Sequence, residues 1–425
     1  MSFILCLLCI LLVPFATAGL TLMHQGLGRS RSAAHTMVST LCVLAVTSLA
    51  FVIVGFSLAG VNGGAAHFIG HGSTAWDWAG AEPLFAHGVH FDGSPSGLLL
   101  CFQMFAAGLA AIIPLSTGSD RWRLAPACVS TGLLAAITFP LFAHWAWNGG
   151  WLSHLGLAFG LGAGFLDAGG SGTIQVIGGL TALSIAWILG PRRGKFHNDG
   201  MAAAIPGHNI VLVLFGCLLA LIGWIALNSA AAMLFYGAGI VMVPKVLVNT
   251  VLAASASCLA TVLTTRLRYG KPDASLISNG WVAGLVAGSA GCVFVSPAAA
   301  IATGAVAGAG VMYLVELLEL KFHIDDPGGA ISVHAGAGLW GLLAAGFFGS
   351  ISALPRGGQI MAQVLGIAAL LGFILPLIHG LNLLVNRFIK QRVDADGDRQ
   401  GMDVRELGAG AYPEFVTHGD EFLPR

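Results

Sequence analysis

The sequence predicts an all-helical, polytopic membrane protein of eleven transmembrane helices, arranged as an inverted five-plus-five repeat with a long eleventh helix outside it. Three observations predict this fold. Hydrophobic residues make up 56% of the 425 residues and charged residues only 9%, and the mean hydropathy of +0.84 leaves no room for a separate soluble domain. Apolar stretches of membrane length recur along the whole chain, and one short motif occurs twice.

Each predicted span is a stretch of about 20 mostly apolar residues, the length that a helix needs to cross a bilayer. In chain order the spans lie near 2–25, 36–60, 95–116, 124–146, 170–190, 208–229, 243–265, 276–295, 297–320, 330–351 and 359–388. The predicted membrane domain therefore covers 1–392, and 393–425 form a C-terminal tail. The net charge is zero, which argues against a nucleic-acid partner.

Basic residues predict the orientation of these spans. Lys and Arg cluster in alternate connections, while the other connections are almost empty of them, with Arg356 as the exception. By the positive-inside rule the N-terminus is outside and the C-terminus and its tail are cytoplasmic. A signal-peptide interpretation of the first span, with cleavage after Ala18, would place every loop against this rule, so we expect the first span to be kept.

The motif that occurs twice places a polar side chain inside two of the spans. Asp167–Gln175 and Asp326–His334 share an Asp, two glycines, a hydroxyl residue, a β-branched residue and a final hydrogen-bonding residue. Gly179 follows the first copy at the offset at which Gly338 follows the second. Polar groups inside membrane helices are costly and are usually functional.

The two copies are predicted to run in opposite directions, because the first lies on span five and the second on span ten. Related segments of opposite direction, five spans apart, indicate an inverted repeat of 1–200 and 205–351, with 359–388 outside it. In such folds the substrate path lies near the midplane, where the repeats meet. We therefore expect Gln175 and His334 to meet at the centre of a pore.

Motifs spread over nearly the whole chain resemble the ammonium transporter family, the Amt/Mep/Rh proteins. They follow in family order: Ala143 to Leu152, Asp167 to Gln175, Gly190 to Lys195, His208-Asn209, Gly223 to Asn228, Asn249-Thr250, Gly291 to Pro297, Asp325 to His334, Gly401 to Asp403 and Ala411-Tyr412. The resemblance implies a homotrimer in the cytoplasmic (inner) membrane with one narrow apolar pore per subunit. It further implies that ammonium is recruited outside and loses its proton, crosses as ammonia, and is reprotonated inside.

The resemblance also assigns roles to four residues. Trp147 matches the vestibule aromatic whose π face holds the cation, although a Trp at that depth is also typical of an interfacial belt. Asp167 matches an Asp near the recruitment site; for it and its twin Asp326 we predict helix capping rather than contact with the ion. His334 matches the second of the family's paired pore histidines.

Four positions along the expected pore depart from the family. Gln175 stands where the first pore histidine belongs, and an amide does not titrate as imidazole does. The stacked phenylalanine gate falls on Ala106 and on Leu227, which follows Trp224 along the pore helix. Phe105 lies one residue early, a step that turns a side chain by about 100°, and it is a candidate for the recruitment site together with Trp147 and the Ala231 position. Ala231 replaces the vestibule serine, and in the tail Leu407-Gly-Ala409 replaces His-Gly-Glu.

These departures leave the function with alternatives. We predict ammonium or ammonia transport through the pore. The alternatives are an ammonium-binding receptor or regulatory subunit with little transport, and a channel for another small amine, since Ala106 and Leu227 leave more room. Neither an enzyme nor a cofactor is expected, because no nucleophile–base pair, phosphate loop or metal signature is present. The loop at 190–199 and the tail are candidates for contact with a PII-type regulator.

Two further features are weighed against simpler interpretations. Several ionisable residues crowd the first large outer loop, where a His-x-x-x-His spacing could hold a metal; we expect no metal there. They are His67, His71, Asp77, Glu82, His87, His90 and Asp92. Lys245 follows Pro244; it snorkels to the surface if the helix begins at the proline, and lies buried near the pore if the helix begins near Tyr236.

Overall fold

The computed structural model describes residues 2–60, 66–69, 76–350 and 356–412. Within these ranges, ten helices are long and apolar enough to cross a membrane. We number the long helices α1 to α11 in chain order: Phe3–Leu27, Ser30–Ala59, Pro95–Gly118, Leu124–Ala146, Ser171–Leu189, Ile210–Phe235, Ile240–Tyr269, Ala274–Gly291, Pro297–Leu320, Ile331–Phe348 and Arg356–Phe388.

The predicted count of eleven spans is not confirmed, because α8 is not among the ten. It has 18 residues and contains several glycines and serines, which lower its hydropathy. Small residues also bring it close to α7: a Cβ on Gly284 would lie 2.6 Å from the Ser257 side chain. Helices in lipid approach closely where small residues meet, so α8 is an interior helix of the bundle.

Local sequence signals explain where several helices begin. Asn209 caps α6 by accepting the Leu212 N–H at 3.0 Å, and Asp273 caps α8 by accepting the Leu276 N–H at 2.8 Å. Pro244 stands in the first turn of the regular helix Val243–Tyr269, after a short 3₁₀ turn at Ile240–Met242. Side-chain oxygens and N-terminal prolines satisfy or remove the unpaired N–H groups of a first turn.

Two faces of the bundle differ in what covers them. The hairpin face carries an antiparallel pair of strands, β1 (Ala66–Ile69) and β2 (Trp76–Gly80). β2 is tied to the end of α4, because Trp145 donates its indole N–H to the Trp78 carbonyl at 2.6 Å. The opposite end, the tail face, is contacted by residues 389–412.

Buried charges on the tail face join helices from both predicted repeats. Arg192, after α5, bonds through Nε to the Asp325 carboxylate at 2.9 Å and through Nη1 to Asp120 at 3.3 Å. Arg121 lies 3.7 Å from the same Asp325 carboxylate. All four side chains are buried, so these charges compensate one another away from water.

The tail is docked on this face by caps on two helix N-termini. Asp403 accepts the N–H groups of Ala34 at 3.2 Å and His35 at 2.7 Å, at the start of α2. Glu406 accepts the Leu124 N–H at 2.8 Å, at the start of α4. Carboxylates are favoured at helix N-termini because they satisfy unpaired donors and the helix dipole.

Packing at the centre relates the two motif copies by reciprocal contacts. Gly179 lies so close to Ala335 that a Cβ on it would collide with the backbone there. Its counterpart Gly338 lies against Val176, where a Cβ would come within 2.7 Å of a Val176 methyl group. α5 begins at the hairpin face and α10 at the tail face, so the copies are antiparallel, and the glycines let them cross closely.

Candidate functional site

Each motif copy enters its helix through the same unusual backbone. The second glycine of each is left-handed, with φ of +83° at Gly170 and +71° at Gly329, a conformation that L side chains rarely adopt. The first turn of each helix is then a π turn, over Ser171–Val176 and Ile331–Gly336. π turns are rare and occur often at functional sites, and these two carry Gln175 and His334.

Asp167 caps the first of these turns. Its carboxylate accepts hydrogen bonds from the Gly172 N–H at 3.1 Å, the Thr173 N–H at 2.7 Å and the Thr173 hydroxyl at 2.8 Å. The side chain is fully buried, so bonds to its own helix occupy it. These bonds are the helix capping that the sequence predicts for Asp167.

Asp326 caps the second turn by accepting two hydrogen bonds, one from its own helix and one from a neighbouring helix. Its carboxylate accepts the Ile331 N–H at 2.7 Å, at the same offset of five residues. The second donor is the hydroxyl of Thr117 on α3. The second copy therefore depends on a neighbouring helix where the first copy depends on itself.

Gln175 and His334 meet, as the repeat predicts. The His334 Nδ1 atom lies 2.7 Å from the Gln175 Oε1 atom, and both side chains are buried. Because an amide oxygen only accepts, His334 Nδ1 carries the hydrogen and its Nε2 is the free basic atom. In this pair only the imidazole can take up a proton.

Within the part of the chain that the structure describes, only one of the two polar side-chain atoms of Gln175 has a hydrogen-bond partner. Its Nε2 atom is enclosed and has no hydrogen-bond partner among the described residues. An unpaired buried amide donor costs about 1–3 kcal/mol. A polar group that is kept at this cost in a membrane interior indicates a path for a polar species.

Trp147 lies in a cluster of aromatic rings near the hairpin face. Its indole N–H donates to the Asp167 carbonyl at 2.7 Å, which ties it to the first motif copy. Phe235 stacks on it with ring centroids 4.5 Å apart and planes 8° apart, and Phe102 meets both rings edge-on. Only 8% of Trp147 is exposed, so these rings cover most of its surface.

The other predicted pore positions are fully buried within the same core as Trp147. Ala106 lies one helical turn after Phe102 and thus on the same face of α3. Trp224 donates its indole N–H to the Ser289 hydroxyl at 3.2 Å, which joins α6 to α8. Leu227 and Ala231 follow on α6 and present no polar atom.

The structure places Phe105 apart from the rings that contact Trp147. Phe105 lines an apolar cleft of about 400 Å³ between α1, α2 and α3, together with Thr17 and Met37. The residue step that separates it from Ala106 turns its ring away from the pore face.

Phe102 and Phe235 are the rings that sequence reasoning missed. The structure brings Phe102 to Trp147 through its neighbour Gln103, which exchanges hydrogen bonds with Asn148, the residue after Trp147; the sequence alone does not show this contact. Phe235 likewise carries no signal in the sequence, since it ends α6 in an apolar run.

Two remaining expectations concern the outer loop and Lys245. Among the described residues no group of three or more His, Cys, Asp and Glu side chains could hold a metal, and His71 lies outside the described residues. Asp77 instead lies 2.8 Å from Nε2 of His144. Lys245 is half-buried at the start of its helix, and its Nζ donates to the Val293 carbonyl at 2.9 Å, which agrees with a helix that begins at the proline.

Comparisons with known proteins cover nearly the whole chain. A model described as Ammonium Transporter Family matches residues 4–412. The chain is 34% identical to the ammonium transporter Amt2 of Archaeoglobus fulgidus, over 98% of this chain and 89% of that protein. It is 29% identical to an ammonium transporter of Bacillus subtilis, over 96% of this chain and 97% of that protein.

Solved structures are similar over the same length. A structure described as a Sensor Amt Protein has a TM-score of 0.84 and 26% identity, with 95% of this chain and 97% of that chain covered. Mep2 of Candida albicans has a TM-score of 0.79 and 22% identity, with 93% and 86% covered. The second likeness concerns the fold alone.

Proposed function

The chain belongs to the ammonium transporter family, whose function is ammonium transport through a membrane pore, and we propose that here the pore passes Trp147 and then the Gln175–His334 pair. The hydrogen bond between Gln175 and His334, at the crossing of two antiparallel motif copies, is the observation that carries this proposal. It provides one basic atom, His334 Nε2, in an otherwise apolar path.

Recruitment starts at Trp147 in this proposal. A cation is attracted to an indole face within about 6 Å of the ring centroid. Phe235 occupies that position now, with its centroid 4.5 Å from that of Trp147. An arriving ammonium ion therefore displaces the Phe235 ring, which makes Phe235 the gate in place of the rings absent at Ala106 and Leu227.

Beyond the gate, the path past Ala106 and Leu227 offers no polar side chain from these positions. An ammonium ion that enters such a region loses its hydration, which costs several kcal/mol or more, while neutral ammonia does not carry this penalty. The ion therefore gives up its proton, and His334 is placed to receive it. The proposal is transport rather than catalysis, and the receptor alternative is not favoured, because the curated relatives are transporters.

Three finer expectations belong to the same proposal. The N-terminus is outside and the tail face is cytoplasmic, in line with the alternating basic loops. The subunit forms a homotrimer, as the family resemblance implies. A PII-type regulator contacts the loop at 190–199 and the tail, which lie together because the Arg193 N–H donates to Asp398 at 3.3 Å.

The deciding experiment measures current and internal pH in proteoliposomes that are given an ammonium gradient. We expect a response that Trp147→Ala reduces about tenfold or more, since one desolvated cation–π contact contributes up to about 2 kcal/mol. Phe105→Ala is the matched control, because this ring lies in the cleft away from the pore. No response from the unmodified protein, with ammonium binding that Trp147→Ala abolishes, would establish the receptor instead.

Gln175→His tests the centre of the pore separately. A second imidazole would restore an unbroken pair of titratable groups, so the current should rise while the response of Trp147→Ala stays low. An unchanged current in a protein that assembles normally would show that the amide does not limit proton passage.

A further inference from the structure

Another imidazole, that of His24, is buried near the tail-face end of α1. It was not singled out from the sequence, where it stands in an apolar run. The ring is 5% exposed, and its Nδ1 is enclosed without a hydrogen-bond partner among the described residues. Its Nε2 has no partner there either, but it is not one of the enclosed atoms.

His24 lies near the start of α10, the helix that carries His334. Leu27, almost one turn after His24, is close to Gly328: a Cβ on Gly328 would lie 3.8 Å from the Leu27 side chain. His334 has the matching geometry: its Nδ1 is held by Gln175, while its Nε2 is unbonded and not enclosed. Two imidazoles thus have an Nε2 atom without a hydrogen-bond partner among the described residues, one at the pore centre and one toward the tail face.

Unpaired polar atoms lie around the start of α10. Those of Ser116 on α3, Asn279 on α8 and Ser332 on α10 are enclosed without partners among the described residues. Two of these residues meet the glycine pair before α10: a Cβ on Gly328 would collide with the Ser116 hydroxyl, and one on Gly329 with the Asn279 amide. Three helices thus place unpaired polar atoms on the tail-face side of the bundle, a costly arrangement that indicates a path for protons or a polar solute.

Few other ionisable groups face His24. On α6, Cys217 lies beside Met23 at 3.8 Å. Just before α6, His208 lies 3.3 Å from the Gln25 amide. Among the described residues, α2 and α3 place no charged side chain in hydrogen-bond or ion-pair contact with the His24 ring. Among the described residues, none of these groups forms a hydrogen bond with the His24 ring, so the ring is available to exchange protons.

We propose that His24 supplies the second titratable group that Gln175 does not, and that protons leave the pore centre through His334 and then His24. Ammonium transfers a proton to His334 Nε2 and becomes ammonia. The imidazolium returns that proton to water on its tail-face side, and this water passes a proton to His24 Nε2. His24 then releases the proton to solvent at the tail face, so both rings end neutral. This inference depends on the proposed transport function.

The test is ammonium-evoked current in proteoliposomes with His24→Gln, which keeps a polar side chain but cannot titrate. We expect the current to fall about 100-fold, the low end of what a placed acid–base group contributes. His379→Gln is the matched control, because that imidazole also lies in a membrane helix but bonds to Ser184 at 3.1 Å, away from the pore. Its current should remain unchanged.

A double variant separates loss of the relay from loss of the fold. His24→Gln combined with Gln175→His regains a second imidazole at the centre, so its current should recover at least tenfold over His24→Gln alone. Full current in His24→Gln, or no recovery in the double variant, would overturn the role of His24 while transport stands. If the unmodified protein gave no ammonium-evoked current, the transport function itself would be overturned, and the proton relay with it.

Discussion

The two copies of the Asp-x-Gly-Gly motif share a backbone and differ in their surroundings. In both, an Asp accepts an N–H five residues later, the second glycine is left-handed and a π turn follows. The first copy completes its cap with its own Thr173, while the second borrows Thr117 from α3. Both copies thus have an Asp cap, but the second donor to that Asp comes from the same helix in the first copy and from a neighbouring helix in the second.

The copies also differ at their two ends. Before the capping residue, the second copy has Asp325, which is held by two buried arginines, where the first has Leu166. At the other end His334 can take up a proton and Gln175 cannot. The comparison teaches that the shared residues build the crossing of the helices, while the differing residues decide anchoring and proton chemistry.

Removal of the Asp325 carboxylate, which anchors the second copy, should have the largest effect on stability. Asp325→Asn leaves Arg192 and Arg121 as buried charges without their main partner, a change that typically costs about 3–5 kcal/mol. The melting temperature of the detergent-solubilised protein, followed by intrinsic fluorescence, measures this. Asp396→Asn is the control, because that carboxylate is 76% exposed and its ion pair with Arg399 is long, at 3.9 Å. An equal effect of both variants would show that the buried network does not anchor the second copy.

In the unmodified protein, low pH should weaken the same contacts of Asp325 and lower the stability. Burial raises the pKa of Asp325, but the charges of Arg121 and Arg192 outweigh it and hold the pKa below its ordinary value of 3.8. The unfolded chain therefore takes up the proton first, so this stabilisation is present above about pH 4 and is lost as the pH falls through the folded pKa. The melting temperature should decrease more steeply below pH 4 in the unmodified protein than in Asp325→Asn.

Removal of the capping carboxylates, Asp167 and Asp326, should have smaller effects on stability. Asp167→Ala strands three donors and Asp326→Ala two, at about 1 kcal/mol or more for each unsatisfied buried group. We expect losses of stability of about 3 and 2 kcal/mol, in that order, because both Thr173 groups depend on Asp167. Thr173→Val should shrink the difference. A larger loss from Asp326→Ala would reverse the interpretation that the first copy is the self-contained one.

The glycine crossing should show the smallest and most symmetric effect. Gly179→Ala and Gly338→Ala each force a methyl group into the partner helix, which costs about 1–3 kcal/mol. Gly310→Ala is the control, because nothing lies within 4 Å of the position of its Cβ; there alanine should stabilise the helix by up to about 1 kcal/mol. A clear difference between Gly179→Ala and Gly338→Ala in melting temperature would contradict the reciprocal packing.

Much of the architecture was predictable because its signals are local or repeated. Apolar stretches predicted the long helices within a few residues, and the repeated motif predicted that Gln175 and His334 meet. The predicted count of eleven spans is not confirmed, because the small residues that let α8 pack closely also lower its hydropathy. The π turns could not be predicted, since they depend on how the crossing helices hold the backbone.

By itself, the sequence determined the family, the order of the helices, the opposite direction of the two copies and the absence of a second histidine at Gln175. Each of these follows from residue identity at fixed spacing. Only the tertiary structure decided that Phe235 covers Trp147, that Phe102 rather than Phe105 meets it, and that His24 lies near the start of α10. Those contacts join distant helices, and the rotation of each helix about its axis, which composition does not encode, decides which side chain faces the pore.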